Sequence, residues 1–180
     1  ISEETTFAMH SLELLLTINE QEKSWDKAVK TGKVLIGKDK NNIAVKLAHY
    51  YCEMAEVCFK VHDLVDARRH LKKALQMDKN CVRASLIQGR LESEAGNHNE
   101  AIKALLKIRH QNDDYSPETL SILEKSYQAL DNGGDYIKYL FSLLEQHPAI
   151  SIVLALSEKL RESKGDADAA YVLSEYLKKR

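Results

Sequence analysis

Apolar residues recur at three- and four-residue spacing along most of this chain, as in "LVDARRHLKKAL" (residues 64–75) and "EAIKALLKI" (residues 100–108). That spacing brings each apolar group back to the same side of a helix. Pro117 and Pro148 are the only prolines, so helices can run long without interruption. The pattern predicts an all-α chain. Helix starts are marked by side-chain acceptors: Asp63 ahead of "LVDA", Asn97 with Glu100 three residues on, and Ser116 followed by Pro117. Each places an oxygen where first-turn amides lack partners, and proline suits the first helical position because no N–H is needed there.

The predicted helices come in pairs that repeat. Ala67, Ala101, Tyr136 and Ala170 each fall early in the second helix of a pair, at separations of 34, 35 and 34 residues. Four residues later come Leu71, Leu105, Leu140 and Ser174, and three beyond those Ala74, Ile108, Leu143 and Leu177. A small residue lets two helices approach closely, and the next two positions fill the groove between them. Gly89 and Tyr127 take the small and aromatic positions of the first helices, and Pro148 falls at a turn between pairs.

This arrangement resembles the tetratricopeptide repeat, a helix-turn-helix of about 34 residues. It implies a right-handed solenoid of stacked antiparallel helix pairs. Units are expected at 48–81, 82–115, 117–150 and 151–180, with a looser one at about 5–42. In that first unit "SWDKA" sets Ala28 in the small position and "GKDKNN" lengthens the turn. The departures are definite: no unit has the consensus tryptophan, Gly89 is the only glycine at its position, and Tyr136 stands where a small residue is usual. Because each unit buries its apolar face only against its neighbours, the array should be cooperative and its ends should fray or pair with another chain.

Composition narrows the function. The 180 residues are 44% apolar, and 26 basic against 27 acidic residues leave a net charge of -1, without the basic footprint of a nucleic-acid binder. Cys52, Cys58 and Cys81 are odd in number and irregular in spacing, which argues against a disulfide framework and for a reducing compartment such as the cytoplasm. No apolar run approaches the roughly 18 residues that span a bilayer, and neither a signal peptide nor an N-glycosylation triplet occurs. The chain opens on Ile1 rather than Met, as expected of a fragment of a longer protein.

One stretch carries residues of chemical interest. "AHYYCEMAE", Ala48 to Glu56, sets His49, Cys52, Glu53 and Glu56 within two helical turns. A helical projection puts Leu47, Ala48, Tyr51, Met54, Ala55 and Cys58 on the packing side, and His49, Cys52, Glu53, Glu56 and Lys60 on the other. A metal reading finds only a pair of ligands at His49 with Cys52 or Glu53, where zinc takes three or four. Nucleophilic use of Cys52 lacks an oxyanion donor and a pocket. No catalytic, metal or cofactor residue is therefore assigned, and Cys58 and Cys81 read as small buried hydrophobes. His62 and His98 fall in turns, and His147 precedes Pro148 at a unit boundary. "NGGD", Asn132 to Asp135, reads as a glycine C-cap followed by an N-cap. "GKDK" lacks the remaining residues of a phosphate loop.

Successive first helices project a line of groove positions: His49, Cys52 and Glu56, then Arg83, Leu86 and Arg90, then Ser121 and Lys125, then Ala155 and Lys159. Cations along a concave surface would suit an acidic or C-terminal carboxylate ligand. The bland alternative is that Arg and Lys solvate helix faces and pair with Glu53, Glu56, Glu94 and Glu124.

The stretches "SWDKAV", "LIGKDKNN", "AHYYCEMAE" and "MDKNCVRASLIQGR" together resemble the lipopolysaccharide assembly protein B family of Gram-negative bacteria, most specifically from Trp25 to Leu130. The resemblance implies an adaptor without chemistry of its own, in a parent anchored to the inner membrane and facing the cytoplasm. Family members carry a metal in a C-terminal rubredoxin-like domain whose paired Cys-x-x-Cys ligands have no counterpart here. They restrain lipopolysaccharide synthesis by promoting proteolysis of the deacetylase that commits precursor to lipid A. Implied partners are proteins: a membrane protease and lipopolysaccharide biosynthesis or transport proteins, with self-association through exposed repeat ends as a further expectation. The rival reading is the recognition arm of a repeat-containing enzyme such as an N-acetylglucosaminyl transferase.

Overall fold

The computed structural model describes residues 3–37, 39–146 and 148–178, and every regular element in them is helical. Lys38 of "GKDK", His147 and the terminal Lys179 and Arg180 of the last expected unit lie outside the described residues. The helices are α1 (Glu3–Gln21), α2 (Trp25–Leu35), α3 (Lys40–Lys60), α4 (Leu64–Met77), α5 (Val82–Glu94), α6 (His98–Leu106), the single turn α7 (Ile108–Gln111), α8 (Leu120–Ala129), α9 (Gly133–Gln146), α10 (Ile150–Lys164) and α11 (Asp166–Lys178). A 3-10 stretch, Asp113–Thr119, leads into α8. The chain divides into two compact bodies, one up to Leu91 and one from Glu92.

In the first body α1 packs on α2, α2 on α3 and α3 on α4. Ala48 and Ala55 of α3 and Ala67 and Ala74 of α4 have no exposed surface, and these small side chains let the two helices close together. Leu35, Leu47, Leu71 and Leu91 fill the remaining core, each burial contributing about 1.5–3 kcal/mol before entropy is counted. In the second body α6 packs on α8, α8 on α9, α9 on α10 and α10 on α11. Its core is Leu105, Ile108, Leu123, Tyr136, Leu140, Leu143, Ile152 and Leu156. The large Tyr136 is accommodated by full burial and by donating its hydroxyl to Leu120 O at 3.1 Å.

The turns within pairs repeat down to single hydrogen bonds. Lys23, His62, Gly96 and Asp131 all take positive φ, at 54, 59, 77 and 52°. Each donates its N–H three residues back, to the carbonyls of Glu20, Phe59, Ser93 and Gln128 at 3.1, 3.0, 3.2 and 3.0 Å. The residue after each donates five back, to Asn19, Cys58, Glu92 and Tyr127 at 2.9, 2.9, 2.8 and 2.9 Å. This is the Schellman closure, which satisfies the last carbonyls of a helix through one left-handed residue. Ala28, Ala67, Ala101 and Tyr136 each stand five residues beyond that point, all buried.

The last pair breaks the register. Gly165 takes φ 98 and ψ 178, a conformation open to glycine alone, and α11 begins at the next residue, Asp166. Its N–H donates to Leu160 O at 3.2 Å and Arg161 O at 3.1 Å, unlike the other turns. One turn residue is thereby dropped. The small position expected at Ala170 is corrected to Ala169: Ala169, Val172 and Tyr176 are buried, while Ala170 is exposed.

Three cap expectations change as well. In "NGGD" the left-handed residue is Asp131, and Gly133 and Gly134 open α9, while Asn132 Nδ2 donates to Asp135 Oδ2 at 2.9 Å. Asp63 caps α4 as expected, accepting from Asp66 N at 3.1 Å. Asn97 makes no such cap and instead donates Nδ2 to Glu92 Oε2 at 2.8 Å. Ser116 and Pro117 lie inside the 3-10 stretch, which Asn112 opens by accepting from Asp114 N at 3.2 Å.

Candidate functional site

Helix α3 is held on more than one side. Asp39 caps it, accepting from Asn42 N at 3.2 Å. Tyr50 stacks on Trp25 with ring centroids 5.9 Å apart and donates its hydroxyl to Glu20. Tyr51 faces His70 of α4, at 6.1 Å between centroids. Cys52 is buried without exposed surface, its Sγ 3.8 Å from Cys81 Sγ at the entry to α5. The projection had placed Cys52 with the groove-lining residues. That placement is corrected, because the helix carries a second packing side toward α5.

His49 remains exposed. Beside it, Glu53 and Glu56 grip Arg83 of α5. Nη1 lies 2.6 Å from Glu53 Oε1 and Nη2 3.3 Å from Glu56 Oε1. Burial works against the Arg83 charge, but the hydrogen bond and charge of Glu53, with Glu56 behind it, outweigh burial and push its pKa further up. The fork geometry of guanidinium suits this double contact. Arg90, about two turns further along α5, is exposed with its guanidinium carbon 5.3 Å above the Phe59 ring, a cation–π contact.

In the second body Lys125 and Ser121 of α8 are exposed and Ala155 of α10 is half-buried. Lys159, expected as an open groove cation, is only 8% exposed. Its ammonium sits 2.6 Å from Glu124 Oε1 and 2.7 Å from Glu162 Oε2. Burial lowers its pKa, but the two carboxylates overcome that and hold it above the ordinary lysine value. The expected line of open cations is therefore reduced: Arg83 and Lys159 are engaged by carboxylates of their own chain, and Arg90 and Lys125 stay exposed. An acidic ligand would have to displace Glu53 and Glu56 to use Arg83.

The seating of Arg90 over the Phe59 ring, the role of Glu162 and the closeness of Cys81 to Cys52 were not read from the sequence. A signal for the last and for the Arg83 fork does exist. Contacts between neighbouring pairs link residues about one repeat apart, as in Cys52 with Cys81, Glu53 with Arg83, Ser93 with Ser126 and Arg109 with Ser142. A cleft of about 570 Å³ between α9 and α11 was also missed. Phe141, Leu144, Pro148, Tyr171 and Tyr176 line it with Glu145 and Glu175, and Tyr176 donates its hydroxyl to Pro148 O at 3.2 Å.

Four of the helix pairs are closed by the same Schellman turn and the last, at Gly165, by a shorter one, and such helix-turn-helix units in succession are the geometry of a helical repeat. The profile of the tetratricopeptide repeat matches residues 59–125. The helix pairs of this chain have the tetratricopeptide-repeat fold. Over 172 residues, 96% of its length, it is 30% identical to lipopolysaccharide assembly protein B of Escherichia coli (strain K12), and over 180 residues, 99% of its length, 32% identical to the protein of the same name from Haemophilus influenzae. The chain spans less than half of these relatives, 44% and 45% of their lengths. A crystal structure of MamA shares the fold at a TM-score of 0.55, with 18% identity, covering 95% of this chain and 91% of that one. Among the described residues no helix is long and apolar enough to cross a membrane, and no three His, Cys, Asp or Glu side chains gather as a metal site would require.

Proposed function

We propose that this chain is the protein-recognition part of an adaptor in lipopolysaccharide assembly. The observation that carries this reading is its likeness, over 96–99% of its length, to curated proteins named for that process. Repeat arrays of this kind offer extended binding surfaces, and His49, Arg90 and Lys125 present exposed polar ends on the first helices of their pairs. The adaptor acts without chemistry of its own. It brings the deacetylase that commits precursor to lipid A before a membrane protease, from a parent protein anchored at the cytoplasmic side of the inner membrane. Glu56 and Arg83 set the shape and charge of the surface beside His49, while Cys52 and Lys159 serve it from beneath.

The test uses the full-length parent in its membranes. Photo-crosslinkers replacing His49, Arg90 or Lys125, followed by mass spectrometry, should capture a lipopolysaccharide-synthesis enzyme or a membrane protease. Arg90→Glu combined with Lys125→Glu should reduce that capture at least fivefold at unchanged helical content. Crosslinks confined to unrelated proteins, or capture untouched by the double substitution, would sink the proposal.

A further inference from the structure

Cys52 and Cys81 are the two cysteines that the fold brings together. Their sulfurs lie 3.8 Å apart, in contact, and a disulfide of about 2.05 Å needs them to close by less than about 2 Å. The two are not equivalent. Cys52 is wholly enclosed on α3, whereas Cys81 is 5% exposed on the turn that precedes α5. That turn is pinned: Asp78 Oδ1 accepts from Asn80 N at 2.9 Å, Cys81 N donates to Asp78 O at 3.1 Å, and Cys81 O accepts from Ser85 N at 3.4 Å. Cys81 thus sits at the N-cap of a 13-residue helix, where unpaired amides favour a thiolate.

The surrounding charges act in the same sense. The two thiols share a hydrogen bond that either can donate; given by Cys52, it lowers the Cys81 pKa, against burial, to about 7, with help from the Ala84 amide and Arg83 and opposition from Asp78. Cys52 is driven the other way by the hydrogen bond it makes and by burial, with Glu56 adding to the rise and Arg83 opposing it. One sulfur is prepared to attack and its neighbour keeps a proton to give. Cys58 supplies an internal contrast: its thiol is raised by burial and by Asp63 and Asp66.

We infer that Cys52 and Cys81 form an oxidation site at which a hydroperoxide converts the dithiol to a disulfide, tying α3 to the start of α5. The Cys81 thiolate attacks one peroxide oxygen, the O–O bond breaks, and hydroxide leaves, giving a sulfenic acid. The Cys52 sulfur then displaces the sulfenic oxygen, and its proton leaves with that oxygen as water. Two thiols are oxidised and one peroxide is reduced. The bond encloses all of α4 in one covalent ring and lies next to the Arg83 fork, so oxidation fixes the surface beside His49.

The experiment treats the chain with hydrogen peroxide, alkylates remaining thiols in denaturant, and maps unreduced peptides by mass spectrometry. The expected main product is the Cys52–Cys81 disulfide within one chain, with Cys58 still alkylated and Cys58→Ser behaving as the unaltered chain. Cys52→Ser and Cys52→Ala should both stop at a sulfenic acid on Cys81 that dimedone captures. Disulfide closure should be at least tenfold slower in chain unfolded with urea. Modification of Cys58 first, disulfides mainly between chains, absence of the dimedone adduct in both Cys52 variants, or equal closure rates in folded and unfolded chain would each overturn the inference.

Discussion

His62 and Gly96 do the same work with different side chains, since both hold a left-handed turn at φ 59 and 77. Gly96→Ala should therefore cost about 1 kcal/mol, and His62→Gly should stabilise by about 0.5 kcal/mol, because a Cβ is penalised in this region while glycine loses more entropy on folding. Urea unfolding midpoints at constant slope would measure both. His70 is a second residue with a readable consequence. It is buried against Tyr51 and its Nδ1 has no hydrogen-bond partner among the described residues, and burial, then Arg69 and Lys73, lower its pKa from 6.5. The unfolded chain takes up a proton near pH 6.5 that the folded chain resists, so this contribution to stability is whole above that pH and lost as pH falls. His70→Phe should keep the ring contact and flatten the decline in melting temperature between about pH 6.5 and 5. Ala67 and Ala101 were legible as packing residues from spacing alone, but nothing in the letters His62 or Asp131 announces a left-handed backbone. Glycine advertises that conformation, and only Gly96 among the Schellman turns uses it.

At the scale of helices, the contrast between Ala169 and Ala170 separates period from geometry. A repeat length carried forward unchanged points to Ala170, yet the turn at Gly165 is one residue shorter and rotates α11 to bury Ala169. Ala169→Glu should destabilise by more than about 2 kcal/mol through a buried, unpaired carboxylate, while Ala170→Glu should stay within about 0.5 kcal/mol. Equal effects in thermal unfolding would show that α11 sits differently. Cys52 was misplaced for a related reason. A helical projection assumes one buried side, but a helix inside a stack touches its own pair and the next one, so Tyr51 and Cys52 are both enclosed. The polar letters of "AHYYCEMAE" thus divide into an exposed His49, a buried Cys52 and two carboxylates spent on Arg83.

For the whole molecule, the all-helical repeat was legible because its signal accumulates over many residues. Engaged charges were legible only as the alternative reading, pairing with Glu53, Glu56 and Glu124, because those partners of Arg83 and Lys159 lie about one repeat away and spacing alone does not choose between a paired and an open cation. The near-zero net charge combines with exposed Phe7, Val65 and Tyr171, which favours self-association. Light scattering should show apparent mass rising with concentration, and Phe7→Lys with Tyr171→Lys should hold it at the monomer value across the same dilution series. The Arg83 fork gives the array a muted response to salt. Ions that screen an incoming charged partner also loosen the hold of Glu53 and Glu56 on the guanidinium, freeing a cation as they weaken the attraction. Affinity at this surface should fall less steeply with ionic strength than its exposed charges alone would dictate.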